Sequence, residues 1–66
     1  MLNNRYSRAA HSIAAELNSE PMVVVDVSTQ EQDNHIFRVM MYLCHYFGKY
    51  WIEYQNNGTA IIRKQG

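Results

Sequence analysis

The chain carries one cysteine, Cys44, one proline, Pro21, and three glycines, Gly48, Gly58 and Gly66. A lone cysteine excludes an internal disulfide, and isolated glycines exclude the clustered loops that cradle phosphates. Charge of one sign is also lacking: six basic and six acidic side chains cancel, so there is no overall field of the kind that draws a protein to nucleic acid or to an anionic membrane. No apolar run approaches the roughly eighteen residues needed to span a bilayer. The opening residues Met1-Leu2-Asn3-Asn4-Arg5 lack the apolar stretch of a secretory signal. A free thiol without an export signal predicts a cytoplasmic protein in a reducing compartment. Internal repeats, low-complexity tracts and linkers are missing as well, which predicts a single domain over 1–66.

A domain of 66 residues buries only about 60% of the surface its unfolded chain exposes, and chains of this size commonly draw on disulfides, metals or oligomerisation for stability. The disulfide is excluded. A metal site is disfavoured by spacing: Cys44 and His45 are neighbours pointing about 100° apart on a helix, His35 lies nearly three turns away, and His11 belongs to another element. The zinc-type arrangement of about four converging ligands is therefore not predicted. Oligomerisation is the aid that remains.

What the chain does have is apolar and aromatic side chains in excess. Ile36, Phe37, Val39, Met40, Met41, Leu43, Cys44, Tyr46 and Phe47 fall within twelve residues. Helical spacing sorts them into one stripe through Ile36, Met40, Leu43 and Phe47 and a second through Phe37, Met41 and Cys44, a wider arc than the roughly 100° of a helix lying on a single core. Such a helix is either central to the fold or a contact surface for another chain. Cys44, among methionine, leucine and phenylalanine, reads as a small buried hydrophobe.

The element order follows from periodicity and punctuation. Leu2, Tyr6, Ala9, Ala10, Ile13, Ala14 and Leu17 recur at helical intervals opposite Arg5, Arg8, Ser12 and Glu16, predicting an amphipathic helix that ends near Asn18, before Pro21. Met22 to Val27 is β-branched almost throughout and predicts a strand. Its near-continuous apolar character predicts an inner strand covered on both faces. Ser28 and Glu31 match a capping box for a helix from about Thr29 to Phe47, closed by Gly48. Lys49 to Gln55 and Thr59 to Lys64 form a hairpin around Asn56-Asn57-Gly58, pairing Tyr54 with Ala60, Ile52 with Ile62 and Tyr50 with Lys64. The opposite face carries Trp51, Glu53, Ile61 and Arg63. The fold class is thus α+β, helix-strand-helix-strand-strand, with a small three-stranded mixed sheet and two helices packed on it.

No catalytic residue, metal site or cofactor is predicted, because Cys44 and His45 do not face each other and no carboxylates are spaced to force a pair together. Five tyrosines, two phenylalanines, one tryptophan and four methionines are the residue types that enrich protein interfaces, where rigid rings desolvate a large area at little entropic cost. The expectation is a small non-enzymatic interaction module, partner-bound and homodimeric. It would act stoichiometrically as an inhibitor, adaptor or regulator of another protein, in the manner of small bacterial or bacteriophage-type accessory proteins. Tyr46, Tyr50, Trp51, Tyr54 and Arg63 are the candidate contact residues, and Phe37, Met40 and Met41 the candidates for self-association.

The alternative is nucleic-acid binding, through Arg5 and Arg8 on the first helix and Lys49, Arg63 and Lys64 on the hairpin, beside aromatics that could stack on bases. The element order also loosely resembles a winged helix, whose last hairpin forms the wing; that resemblance implies DNA binding. The chain departs from the pattern between Gln30 and Phe47, where no glycine-containing turn divides the segment into two helices.

Overall fold

The computed structural model describes residues 4–65, so Leu2, placed on the buried stripe of the first helix, lies outside the described residues. The elements are α1 (Arg5–Glu16), β1 (Val23–Asp26), α2 (Gln30–Tyr46), β2 (Tyr50–Tyr54) and β3 (Thr59–Lys64), the α+β order expected from the sequence.

Asn4 starts α1. Its side-chain carbonyl accepts from the Ser7 amide at 3.0 Å, and the Ser7 hydroxyl accepts from the Asn4 amide at 3.2 Å, satisfying two of the orphan donors of a helix start. The buried face carries Ala10, Ile13 and Ala14, and the two alanines let α1 approach α2 closely. Leu17, the cap residue, is buried and ends the helix one residue before Asn18.

The cap of α2 lies one residue later than expected. Thr29 and Gln32 form the box, with the Gln32 amide donating to the Thr29 hydroxyl at 3.1 Å and the Thr29 amide donating to Gln32 Oε1 at 3.2 Å. Ser28 and Glu31 do not form it, because the Val27 amide donates to the Gly58 carbonyl at 2.8 Å, which keeps the chain extended past the end of β1. Gly58 has φ +83°, and a Cβ there would stand 3.0 Å from the Ser28 Cβ, so both conformation and space demand glycine.

The hairpin register is as expected: Tyr50, Ile52 and Tyr54 stand opposite Lys64, Ile62 and Ala60. The sheet differs from the mixed one expected. Its order is β1-β3-β2, and β3 pairs antiparallel with both neighbours. β1 and β2 run parallel, as a strand-helix-strand unit implies, but β3 separates them. Ala60 and Ile62 are fully buried, so the strand that places them fills the middle of the inner face. β1 is accordingly an edge strand, not the inner one its composition suggested. Val23 is buried and Val24 is 58% exposed; the β-branched run reflects strand propensity rather than burial on two sides.

Both helices lie on one face, giving two layers with Cα extents of 32 × 25 × 15 Å. The core joins Ala10, Ile13, Ala14 and Leu17 of the first helical segment, Val39 and Leu43 of α2, and Val23 and Ile62 of the sheet. Cys44 is exposed rather than buried, because it sits on the flank of α2 turned away from α1. The strongest expected contrast lies within α2. Leu43→Ala, at a fully buried site, should cost about 2–5 kcal/mol, whereas Phe37→Ala, at a residue 64% exposed, should stay within about 0.5 kcal/mol. Urea unfolding of the two variants checks this.

Candidate interaction surface

The exposed large apolar side chains are Met22, Val24, Phe37, Met41, Tyr46, Phe47, Trp51 and Tyr54. Three regions of the surface carry most of them or their aromatic neighbours.

Strand alternation makes the first, the sheet face away from the helices. Val24 lies opposite Ile61, and Trp51 opposite Arg63, so Val24, Ile61 and Trp51 share that face. The Arg63 guanidinium stands 3.7 Å from Glu53, with both side chains more than half exposed. A pair this solvated contributes about 0–1 kcal/mol and serves mainly to hold two charges beside the indole.

The second region is the flank of α2 above β2. Asp33, Phe37, Met41 and Cys44 recur at intervals of four, four and three residues and so share one side of the helix. The Tyr54 hydroxyl donates to Asp33 Oδ1 at 2.8 Å, which fixes that side over β2. Partial burial first, and then the hydrogen bond to and charge of Asp33, raise the Tyr54 phenol above its ordinary pKa. Tyr50 and Ile52 are half-buried against the core on the same edge.

The third lies where α1 meets α2. Tyr6 packs against His35 and Tyr42, with ring centroids 5.3 and 6.4 Å away, and Tyr42 also receives a 3.1 Å hydrogen bond from the Asn4 amide side chain. The guanidinium groups of Arg5 and Arg38 lie 5.0 and 5.8 Å from the Tyr6 ring centre. Arg5 donates to the Tyr6 hydroxyl at 3.1 Å. That bond is the main reason the Tyr6 phenol sits below its ordinary pKa and Arg5 above its own. An open groove of about 660 Å³ runs from these residues along α2 past Phe37 and Met41.

The candidate contact residues are therefore divided. Trp51 and Arg63 share the open sheet face, Tyr50 and Tyr54 lie on the other face of β2, and Tyr46 sits on α2 with its ring 6.0 Å from Tyr42. Of the self-association candidates, Phe37 and Met41 are exposed, whereas Met40 is half-buried against the core. The five candidate cations do not gather on one surface. Arg5 stands at the start of α1, Arg8 is exposed further along it, and Lys64 lines a cleft with His11 and Asn18 near the other end of that helix. Arg63 faces the opposite side of the sheet from Lys64, and Lys49 precedes β2. Among the described residues, no three His, Cys, Asp or Glu side chains gather as a metal site. Sequence reading passed over the Tyr6, His35, Arg38 and Tyr42 cluster, although the spacing of His35, Arg38 and Tyr42 was a signal that they line one helix side.

The raised Tyr54 pKa means that the neutral phenol is favoured in the folded state. Its contribution is complete below the unfolded tyrosine value of about 10 and is lost as pH rises through the higher folded value. Tyr54→Phe should thus cost a few tenths to about 1 kcal/mol at neutral pH, discounted for exposure, and the difference from the unmodified chain should vanish in strong alkali; urea unfolding at both pH values measures it. No family model matches the chain, and neither a curated protein nor a solved structure matches it.

Proposed function

We propose that the protein is a non-enzymatic interaction module that binds another protein stoichiometrically, as an inhibitor, adaptor or regulator. The observation that carries this reading is the uncovered sheet face. Val24 and Trp51 are each 58% exposed there, with the half-buried Ile61 opposite Val24 and Arg63 opposite Trp51. An exposed tryptophan with an arginine directly opposite it, on a rigid face shared with Val24 and Ile61, offers residue types that enrich interface hot spots. Zero net charge suits a protein partner better than a polyanion. The reading places the protein in a reducing cytosol, where the exposed Cys44 thiol would stay reduced. No helix among the described residues is long and apolar enough to cross a membrane. Its small size and simple architecture fit an accessory regulator of bacterial or bacteriophage type.

Immobilised protein exposed to host lysate tests the reading. A bound protein should be lost on Trp51→Ala, a hot-spot truncation costing about 2 kcal/mol or more, and should be retained as salt rises. Recovery of nucleic acid, with affinity falling by orders of magnitude between about 50 and 200 mM salt and on neutralising Lys49, Arg63 or Lys64, would replace it with the nucleic-acid reading.

A further inference from the structure

We infer that a second copy of this chain pairs along β2, joining two three-stranded sheets into one six-stranded antiparallel sheet with the α2 helices side by side above the seam. The inference rests on the reading of the surface as protein-binding and names one occupant for part of it.

The hydrogen-bond alternation leaves the main chain of β2 ready for such pairing. The Gln55 amide donates to the Thr59 carbonyl at 2.8 Å, and the Gln65 amide to the Lys49 carbonyl at 2.9 Å. In an antiparallel ladder bonded and non-bonded positions alternate, so Lys49, Trp51, Glu53 and Gln55 turn their amides and carbonyls towards β3. Tyr50, Ile52 and Tyr54 turn theirs to the open edge.

The sequence Tyr50-Trp51-Ile52-Glu53-Tyr54 is complementary to itself about Ile52. A two-fold axis there sets Ile52 against Ile52 of the second copy and Tyr50 against Tyr54 of the second copy on the helix side. On the other face it sets Trp51 against Glu53 of the second copy. No like charges meet. The helix-side pairs are the hydrogen-bonded ones, and the Trp51 and Glu53 pairs are the closer, non-bonded ones in which side chains interact most. A closed two-fold pair also leaves no further β2 edge on which a chain of copies could grow.

The setting of the two open edges decides between them. β1 also has a free side, with Val24 and Asp26 directing main-chain groups outwards by the same alternation from Val27. Beside it, however, run Arg5, Asp26 and Glu31, charges of the kind that protect an edge from pairing. Beside β2 the flank of α2 offers Phe37, Met41 and Cys44, and its one carboxylate, Asp33, is held by the Tyr54 hydroxyl. Phe37, Met41, Trp51 and Tyr54 are each more than half exposed. Large side chains at that exposure present roughly 100 Å² apiece, about 400 Å² per copy before the half-buried Tyr50 and Ile52 and the main chain are counted. That approaches the roughly 600 Å² per partner at the low end of specific interfaces.

Sedimentation equilibrium from micromolar to millimolar concentration tests the pairing, with hydrogen exchange of backbone amides alongside. The unmodified chain should pass from monomer to dimer, and the Tyr50, Ile52 and Tyr54 amides should become protected as it does, while those of Val24 and Asp26 stay exchangeable. Trp51→Glu, which places two carboxylates opposite each other on both sides of the axis, should dissociate about tenfold more readily than Trp51→Lys, which places an ammonium opposite Glu53. Val24→Lys should leave the dimer intact. Trp51 and Val24 are exposed, and circular dichroism confirms that the variants fold. Equal weakening by Trp51→Glu and Trp51→Lys would overturn the register, and loss of the dimer in Val24→Lys with protection of the Val24 amide would overturn the choice of edge. A chain monomeric throughout that still captures a Trp51-dependent protein would overturn self-pairing alone; loss of both would overturn the interaction reading with it.

Discussion

A two-layer fold has one interior. In this protein that interior is the contact between one side of a three-stranded sheet and two helices, centred on Ile62, Val39 and Leu43. Everything else about the surface follows from how little fits there. Ala10 and Ala14 bring α1 close to α2 and thereby shrink the space available to larger side chains. Phe37, Met41 and Trp51 are left outside, although each would supply well over 1 kcal/mol on complete burial. Among the described residues, no polar or charged residue occupies the core, so the exclusion of these apolar groups comes from geometry and volume rather than from competition with buried polar networks.

The parts of the fold that local rules determine were legible in the sequence. The hairpin register followed from Gly58 at the turn and from the requirement that Ile52 face Ile62. The end of α1 and both limits of α2 followed from capping and breaker residues to within one or two residues, whereas the Asn4 cap that starts α1 was not read. Strand order was not legible, because β1 can complete a sheet either beside β2 or beside β3, and the choice depends on which strand best fills the middle of the inner face. Ala60 and Ile62 decide it. The burial of Val39 and exposure of Cys44 escaped for a related reason: a helix apolar over a wide arc does not reveal which part of the arc its neighbours cover.

The candidate site was legible as an excess rather than as a place. Counting rings and thioethers showed that some had to remain exposed, and strand alternation already put Trp51 and Arg63 on the face opposite Tyr50 and Tyr54. The division of that excess among the sheet face, the α2 flank and the Tyr6 cluster required the tertiary arrangement. It also separates two roles: a flat face that sets an exposed tryptophan beside an arginine suits a foreign protein, whereas an edge whose residues repeat in reverse about Ile52 suits a copy of itself. Neither role calls for a reactive group.

The central claim is that this apolar surplus lies in water when the chain is alone. Trp51 is the only tryptophan, so its fluorescence at the lowest workable concentration reports on that surface directly. Emission close to that of free tryptophan in water, readily quenched by acrylamide, is the result the account predicts. Blue-shifted emission shielded from quencher in the dilute monomer would contradict it.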